Sequence, residues 1–415
     1  MPLTPAFDAH PVAPAPFAAS MPRSAILRMA AEVRATPGVA DFTVGDFDPT
    51  QFPAPPALIE AVAAALRRGH TQYPPAAGIA ELRAAVARDA ARTMDLDWPA
   101  SAVVVGSGAR PPIYAALMTA LAPGDEVVYS TPCWNMPYYT RLARARDVAV
   151  HTGPESQFLP TVDQILPHLP TARMLCLNSP SNPAGTAFAS DRLAEIAQAV
   201  VDENRRRVGR PPLLLLYDQV YRHLVYEGRH VHPAERVPDV APYLLLVDAI
   251  SKSWAATGLR VGWALVPPGL AEAMITWIGH VGAWAGRAEQ VATAELLDTP
   301  GHTEGWLGEH RERLSSRLSA LSSGLTALAN QGHAVEHLVP RAALYLSARF
   351  PGRGDDEAVR RWLLGAGIGI VPFSAFGQPE GSGWVRFSVG ATSPDAIDGA
   401  LSRLAGVLAD GDRPR

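Results

Sequence analysis

Asp248-Ala249-Ile250-Ser251-Lys252-Ser253-Trp254-Ala255-Ala256-Thr257-Gly258-Leu259-Arg260-Val261-Gly262-Trp263 is the stretch on which the reading of this chain turns. The apolar run Tyr243–Val247 leads into it and the apolar run Val261–Val266 leads out, and each reads as a buried strand. Between them stands one lysine among small residues and Trp254, with Arg260 eight positions on. A buried ammonium must pair or lose its charge. A lysine whose charged form is disfavoured is a nucleophilic amine that can form a Schiff base. The plainer alternative is a lysine at a strand end with its head in water, and the rest of the chain decides between them.

Upstream, short apolar runs recur at Val103–Val105, Glu126–Tyr129, Val148–His151, Met174–Leu177 and Leu213–Tyr217. Helical spacing separates them, up to Leu121, over Val162–Leu169 and over Asp191–Asn204. Strands alternating with helices predict an α/β domain with a mostly parallel sheet covered by helices. Trp277–Leu297 is expected to be helical or nearly so. After Pro300 the alternation weakens into a long helix, Thr303–Ala329, and a smaller α+β unit with strands at Ala343–Phe350, Ile368–Pro372 and Trp384–Val389. Pro22–Ala35, a helix, and the segment from Asp41 to Gly45 can join that unit, since termini often lie close together. The expected organisation is an irregular Pro/Ala-rich arm (1–21), the N-terminal part of a small domain (22–55), a large domain (56–300) and the rest of the small domain (301–415).

The chain has 415 residues, 48% hydrophobic and 18% charged, with a formal net charge of −4. That balance gives no nucleic-acid or membrane-surface footprint. No apolar run reaches the ~18–20 residues of a membrane span, and the N-terminus lacks the pattern of a signal peptide. Two cysteines, Cys133 and Cys176, build no disulfide framework, so a cytoplasmic location is the expectation.

Three more constellations follow strands, where α/β proteins bind ligands. Gly106-Ser107-Gly108-Ala109-Arg110 turns from a strand into a helix, so its free N–H groups can hold a phosphate. Asn178-Ser179-Pro180-Ser181-Asn182-Pro183-Ala184-Gly185-Thr186 reads, taken alone, as a turn. Asp218 ends the apolar run Leu213–Tyr217, with Tyr221 three residues on, and a carboxylate there is costly without a cation or donor.

Lys252 with Arg260, Asp218 with Tyr221, Asn182-Pro183-Ala184-Gly185, the Gly108-Ala109 turn and Arg386 stand in the order found in aspartate-aminotransferase-like enzymes. The chain thus resembles the class I/II aminotransferases, fold-type I enzymes that depend on pyridoxal 5'-phosphate (PLP). The likeness runs from about Pro22 to the C-terminal helix and is nearest the bacterial aspartate/aromatic subgroup. It implies that Lys252 carries PLP as an internal aldimine and shuttles a proton. Asp218 would keep the pyridine nitrogen protonated, and Tyr221 and Asn182 would bond the ring oxygen. Trp134 would stack on the ring; Gly108, Ala109, Arg110, Ser251 and Arg260 would hold the phosphate. Arg386 would grip the substrate carboxylate, beside Asn182 and with Gly45 leaving room. Tyr73 matches a tyrosine that reaches the neighbouring subunit's phosphate, which implies a homodimer with shared active sites. The implied substrates are an L-amino acid and a 2-oxo acid; no nucleic acid, membrane or metal enters.

The chain departs from this pattern in several places. Ala249 stands where many relatives have Ser or Thr, Asn-Pro-Ala-Gly replaces Asn-Pro-Thr-Gly, and Gly45-Asp46-Phe47-Asp48-Pro49 replaces Gly-Glu-Pro-Asp-Phe. The segment His280–Arg287, with Trp284, replaces a Ser/Thr-rich stretch. The substrate's distal end could meet Arg110 or Arg287 if anionic, or Trp284 if aromatic. An alternative to transamination is another PLP reaction on the same fold: elimination, replacement, carbon–carbon bond formation or oxidation. A regulatory module is a third class, disfavoured by the presence of Lys252.

Overall fold

The apolar runs become the strands of one central sheet. The computed structural model describes residues 12–411; residues 1–11 of the arm expected to be irregular lie outside them. Within that arm, α1 (Pro16–Ala19) is a single helical turn. Helix α2 (Ala25–Ala35), capped by the Ser24 hydroxyl, leads to the two-residue strand β1 (Ala40–Asp41). Helices α3 (Pro56–Arg67) and α4 (Ala80–Met94) precede the sheet. Its strands are β2 (Val103–Gly106), β3 (Glu126–Thr131), β4 (Arg146–His151), β5 (Ala172–Asn178), β6 (Leu214–Asp218), β7 (Leu244–Ala249) and β8 (Gly262–Leu265). They are joined through α5 (Arg110–Ala120), α6 (Met136–Leu142), α7 (Val162–Ile165), α8 (Ser190–Arg206) and the single turn α9 (Ile250–Ser253).

The strand order is β2-β8-β7-β6-β5-β3-β4. Every pairing is parallel except those of β8, which runs antiparallel to both neighbours. The sheet is buried on both faces, which is why its strands read as unbroken apolar runs. The helix expected over Trp277–Leu297 is two helices, α10 (Pro268–Val281) and α11 (Arg287–Asp298). Gly282 N–H bonds back to the Gly279 carbonyl and Ala283 N–H to Ile278, which closes α10 before the chain restarts at Gly286.

A second core forms around the long helix α12 (Glu304–Asn330). It covers a four-stranded antiparallel sheet, in the order β12-β13-β10-β9, of β9 (Glu336–His337), β10 (Tyr345–Arg349), β12 (Val371–Pro372) and β13 (Trp384–Ser388). Helices α13 (Asp356–Gly365) and α14 (Pro394–Gly411) complete it, with β11 (Ile368–Gly369). Strand β1 pairs in parallel with β11, Ala40 opposite Ile368, and Phe42 enters this second core. The segment that carries Gly45 is thereby fastened to the C-terminal unit. Among the described residues no helix is long and apolar enough to cross a membrane.

The end of β7 is anchored by charge. Asp248, 2% exposed, meets the Arg222 Nε at 2.5 Å, and Arg222 Nη2 meets Asp89 on α4, also at 2.5 Å. Arg222 thus bridges two buried carboxylates just before the turn that bears Lys252, and Arg92 Nη2, 2.5 Å from Asp89, supplies the second positive charge. Removing one member of a buried charge network leaves the others uncompensated. We expect Arg222→Met to lower stability by about 3–5 kcal/mol, read as a fall in the urea midpoint.

Candidate active site

The C-terminal ends of β5, β6 and β7 open onto a cleft of about 550 Å³, closed on its far side by the second core. Eleven residues singled out from sequence line it: Gly45, Ala109, Arg110, Trp134, Asn182, Asp218, Tyr221, Ser251, Lys252, Arg260 and Arg386. Gly108 adjoins it beneath the Arg260 guanidinium. Tyr73 lies outside, 84% exposed, its ring T-shaped against Trp284 at 5.6 Å. Arg287 opens α11 and does not line the cleft. Among the described residues no cluster of His, Cys, Asp and Glu could hold a metal.

Lys252 projects from α9, whose single turn follows β7 directly. Its Nζ donates to the Gly45 carbonyl at 2.5 Å. Burial pushes its pKa down to about 8; Asp46 opposes the shift, and Arg386, Arg260 and Arg110 add to it. Near neutral pH a useful fraction is therefore free amine. A Cβ on Gly45 would meet Tyr345 Oη at 2.5 Å, so only glycine lets this loop come so close. Lys252 is also the sole lysine of the chain; the other cations among its 36 Lys and Arg residues are arginines.

Opposite stands Asp218, its carboxyl accepting one hydrogen bond, from Val220 N–H at 3.2 Å. Burial raises its pKa to about 7; that N–H lowers it and nearby Asp248 raises it further. Such a carboxylate calls for a cationic donor from the cleft. Tyr221 Oη shares a hydrogen bond with Tyr345 Oη at 2.7 Å, and Asn182 Nδ2 reaches Tyr221 Oη at 3.5 Å. Burial raises the Tyr221 pKa well above its usual value, so the phenol stays protonated and can donate. Arg386, 1% exposed, donates from Nη1 to Asn182 Oδ1 at 2.9 Å and from Nη2 to the Thr43 carbonyl. Its guanidinium lies between the Tyr345 and Phe376 rings, 4.6 and 4.9 Å from their centroids. Its Nε is buried with no partner. A buried guanidinium without a carboxylate is suited to receive an anion from the cleft.

The phosphate-sized end lies at the start of α5. Ala109 caps that helix without a side-chain bond, so the N–H groups of Ala109 and Arg110 face the cleft unclaimed. A Cβ at Gly262 would lie 2.5 Å from Ala109 N, so β8 and this turn touch backbone to backbone. Arg260 bonds the Thr257 and Ser107 carbonyls at 2.7 and 3.0 Å, which holds its guanidinium across the turn. Arg110 lies over the Trp134 ring at 4.2 Å.

This donor set fits PLP: an amine, a carboxyl short of a donor, a protonated phenol and an anion cradle flanked by arginine. Tyr345 is central to it and was not foreseen, because at the head of an apolar strand it reads as core. Helix α2 was expected as a helix, but not as a wall of the cleft, which it lines through Ile26, Leu27, Ala30 and Arg34.

The family described as aminotransferase class I and II matches residues 37–404. The aspartate/prephenate aminotransferase of Thermus thermophilus is 32% identical over 372 residues, 88% of this chain and 90% of that one. The structure of aspartate aminotransferase from Thermus thermophilus with maleate is similar at a TM-score of 0.86 and 29% identity, covering 96% of this chain and all of that one. The aspartate aminotransferase of Rhizobium meliloti is similar at a TM-score of 0.87 and 28% identity, over 96% and 99%.

We expect Gly262→Ala to push β8 off the Ala109 turn and misalign its N–H groups. Losing one or two bonds to a charged group costs about 1.5–3 kcal/mol, so PLP should dissociate at least ~10-fold more readily on equilibrium dialysis.

Proposed function

The chain belongs to the class I and II aminotransferases, and on that premise we propose how its cleft divides the work and which amino donors it takes. The protein is a PLP-dependent enzyme that moves an amino group between an L-amino acid and a 2-oxo acid. When bound, PLP supplies an aldehyde for amines and an electron-withdrawing ring that stabilises negative charge at the substrate's α-carbon. Lys252 Nζ is the covalent anchor and, once free, the base that moves the α-proton. Its burial favours the neutral amine this task needs. Asp218 would hold a proton at the ring nitrogen. Tyr221 would donate to the ring oxygen, with Asn182 beside it, and Trp134 would pack against the ring. Gly108, Ala109, Arg110, Ser251 and Arg260 bind the phosphate end. Arg386, with Gly45 and Asn182 next to it, orients the substrate's α-carboxylate, which supplies the anion that its buried guanidinium lacks.

The substrate's distal end is acidic in this reading. The observation that carries it is Arg110, at the cleft and stacked on Trp134, with no carboxylate partner among the described residues. The named relatives act on aspartate, and one holds maleate, a dicarboxylate. We also read the protein as a homodimer. Tyr73 is exposed, reaches no group of its own cleft and is braced by Trp284, as a residue serving a partner's site would be. Two buried free cysteines suit a cytoplasmic setting.

Lys252→Ala should lose turnover by ~10²–10⁴-fold and lose the absorbance of covalently held PLP. Near-normal turnover would remove Lys252 from the chemistry. Arg110→Ala should lower kcat/KM on aspartate and glutamate by ~10–100-fold while alanine and phenylalanine change little, the worth of one charged contact. An equal loss on all donors would assign Arg110 to the phosphate alone.

A further inference from the structure

The loop that caps Lys252 is gripped from behind by a residue that the chemistry above does not use. His310 sits on α12 and is 2% exposed. Its ring stacks on Trp306, at 4.7 Å and 16°, and faces Phe47 at 5.1 Å and Phe52 at 5.5 Å. Its polar edge bonds the Lys252 backbone, while Nε2 has no partner. Phe47 in turn lies 6.0 Å from Lys252 Nζ, two residues beyond the Gly45 carbonyl that accepts from that amine. Two turns along α12, Arg317 lies over the Phe52 ring at 4.4 Å and bonds Gln51 at 2.8 Å.

We infer that His310 is a positioning residue for Lys252: its ring fixes Phe47, and through Phe47 it holds the Gly45 carbonyl against the amine and water away from it. The role belongs to the ring and not to a charge, since burial lowers the His310 pKa to about 4 and leaves it neutral at working pH. The other groups facing the amine are Asp46 on the capping loop, Arg386 on β13, Arg260 after α9 and Arg110 on α5, with Asp218 across the cleft. None of these lies on α12, so the helix brings no charge to the amine and acts on the lysine through the ring packing and the His310 contact with the Lys252 backbone. If the stack loosens, more water reaches the partly buried amine, the ammonium is better solvated, and the lysine titrates nearer its ordinary range.

The inference rests on Lys252 being the reactive amine, and its test reads that amine directly. The full-length chain, dialysed free of PLP, is treated with formaldehyde and cyanoborohydride across a pH series. Methylation of the Lys252 peptide is followed by mass spectrometry; as the sole lysine it is separable from the N-terminal amine. We expect a midpoint near 8 in the parent. His310→Ala should raise it by about one unit, and His310→Phe, which keeps a ring, should restore most of the difference. Phe47→Leu breaks the same stack without touching α12 and should shift the midpoint upward too. A folded His310→Ala or Phe47→Leu protein with an unmoved midpoint overturns the inference, as does a His310→Phe shift equal to that of alanine. Failure of the catalytic reading would appear differently, as turnover surviving Lys252→Ala.

Discussion

Charge that leaves water must be answered inside the protein, and this molecule is arranged around that cost. Arg222 and Arg92 together match Asp89 and Asp248 charge for charge, and the result is structural: Arg222 pins the end of β7. In the cleft the answers are deliberately incomplete. Arg386 has an amide oxygen, a carbonyl and two aromatic faces, but no anion. Asp218 has one N–H and no cation. Lys252 has a single carbonyl. The proposed function fills each deficit with charge from cofactor or substrate, which would direct binding energy to the atoms that react.

Much of this was legible in the sequence because its chemistry is carried by residues that make poor core. A lysine between two apolar strands, or an aspartate closing Leu213–Tyr217, has no cheap structural explanation, and both line the cleft. What escaped notice is made of residues that also make good core. Tyr345 heads an apolar strand like any other, and only its hydrogen bond to Tyr221 and its place over Arg386 set it apart. His310 is one polar position in a 27-residue helix. The antiparallel course of β8 could not be read either, since an apolar run carries no direction. Helix α6 starts two residues after Trp134 with Pro137 in its first turn, and no element was expected there. The break at Gly282 was masked by apolar spacing that continues on both sides.

The cation inventory sharpens the comparison with relatives. Planar, permanently charged arginines line the cleft where the proposed function puts the cofactor and substrate anions, and the one lysine stands where that proposal needs a titratable nucleophile. An arginine at 110 keeps its charge while stacking on Trp134, which a lysine would do less well. In the proposed function, distal specificity is thereby tied to a rigid platform on α5 and not to a mobile ammonium.

The pairing of β1 with β11 fixes an order of assembly. Ala40 leaves the ribosome long before Ile368, its partner, is made. At roughly 5–20 residues per second, the first strand waits on the order of tens of seconds. All seven strands of the central sheet have emerged by then, and Lys252 with them. The loop bearing Gly45 cannot be fastened through this pairing before then, so a nascent chain carries an uncapped amine, exposed to metabolite aldehydes, until Ile368 has emerged.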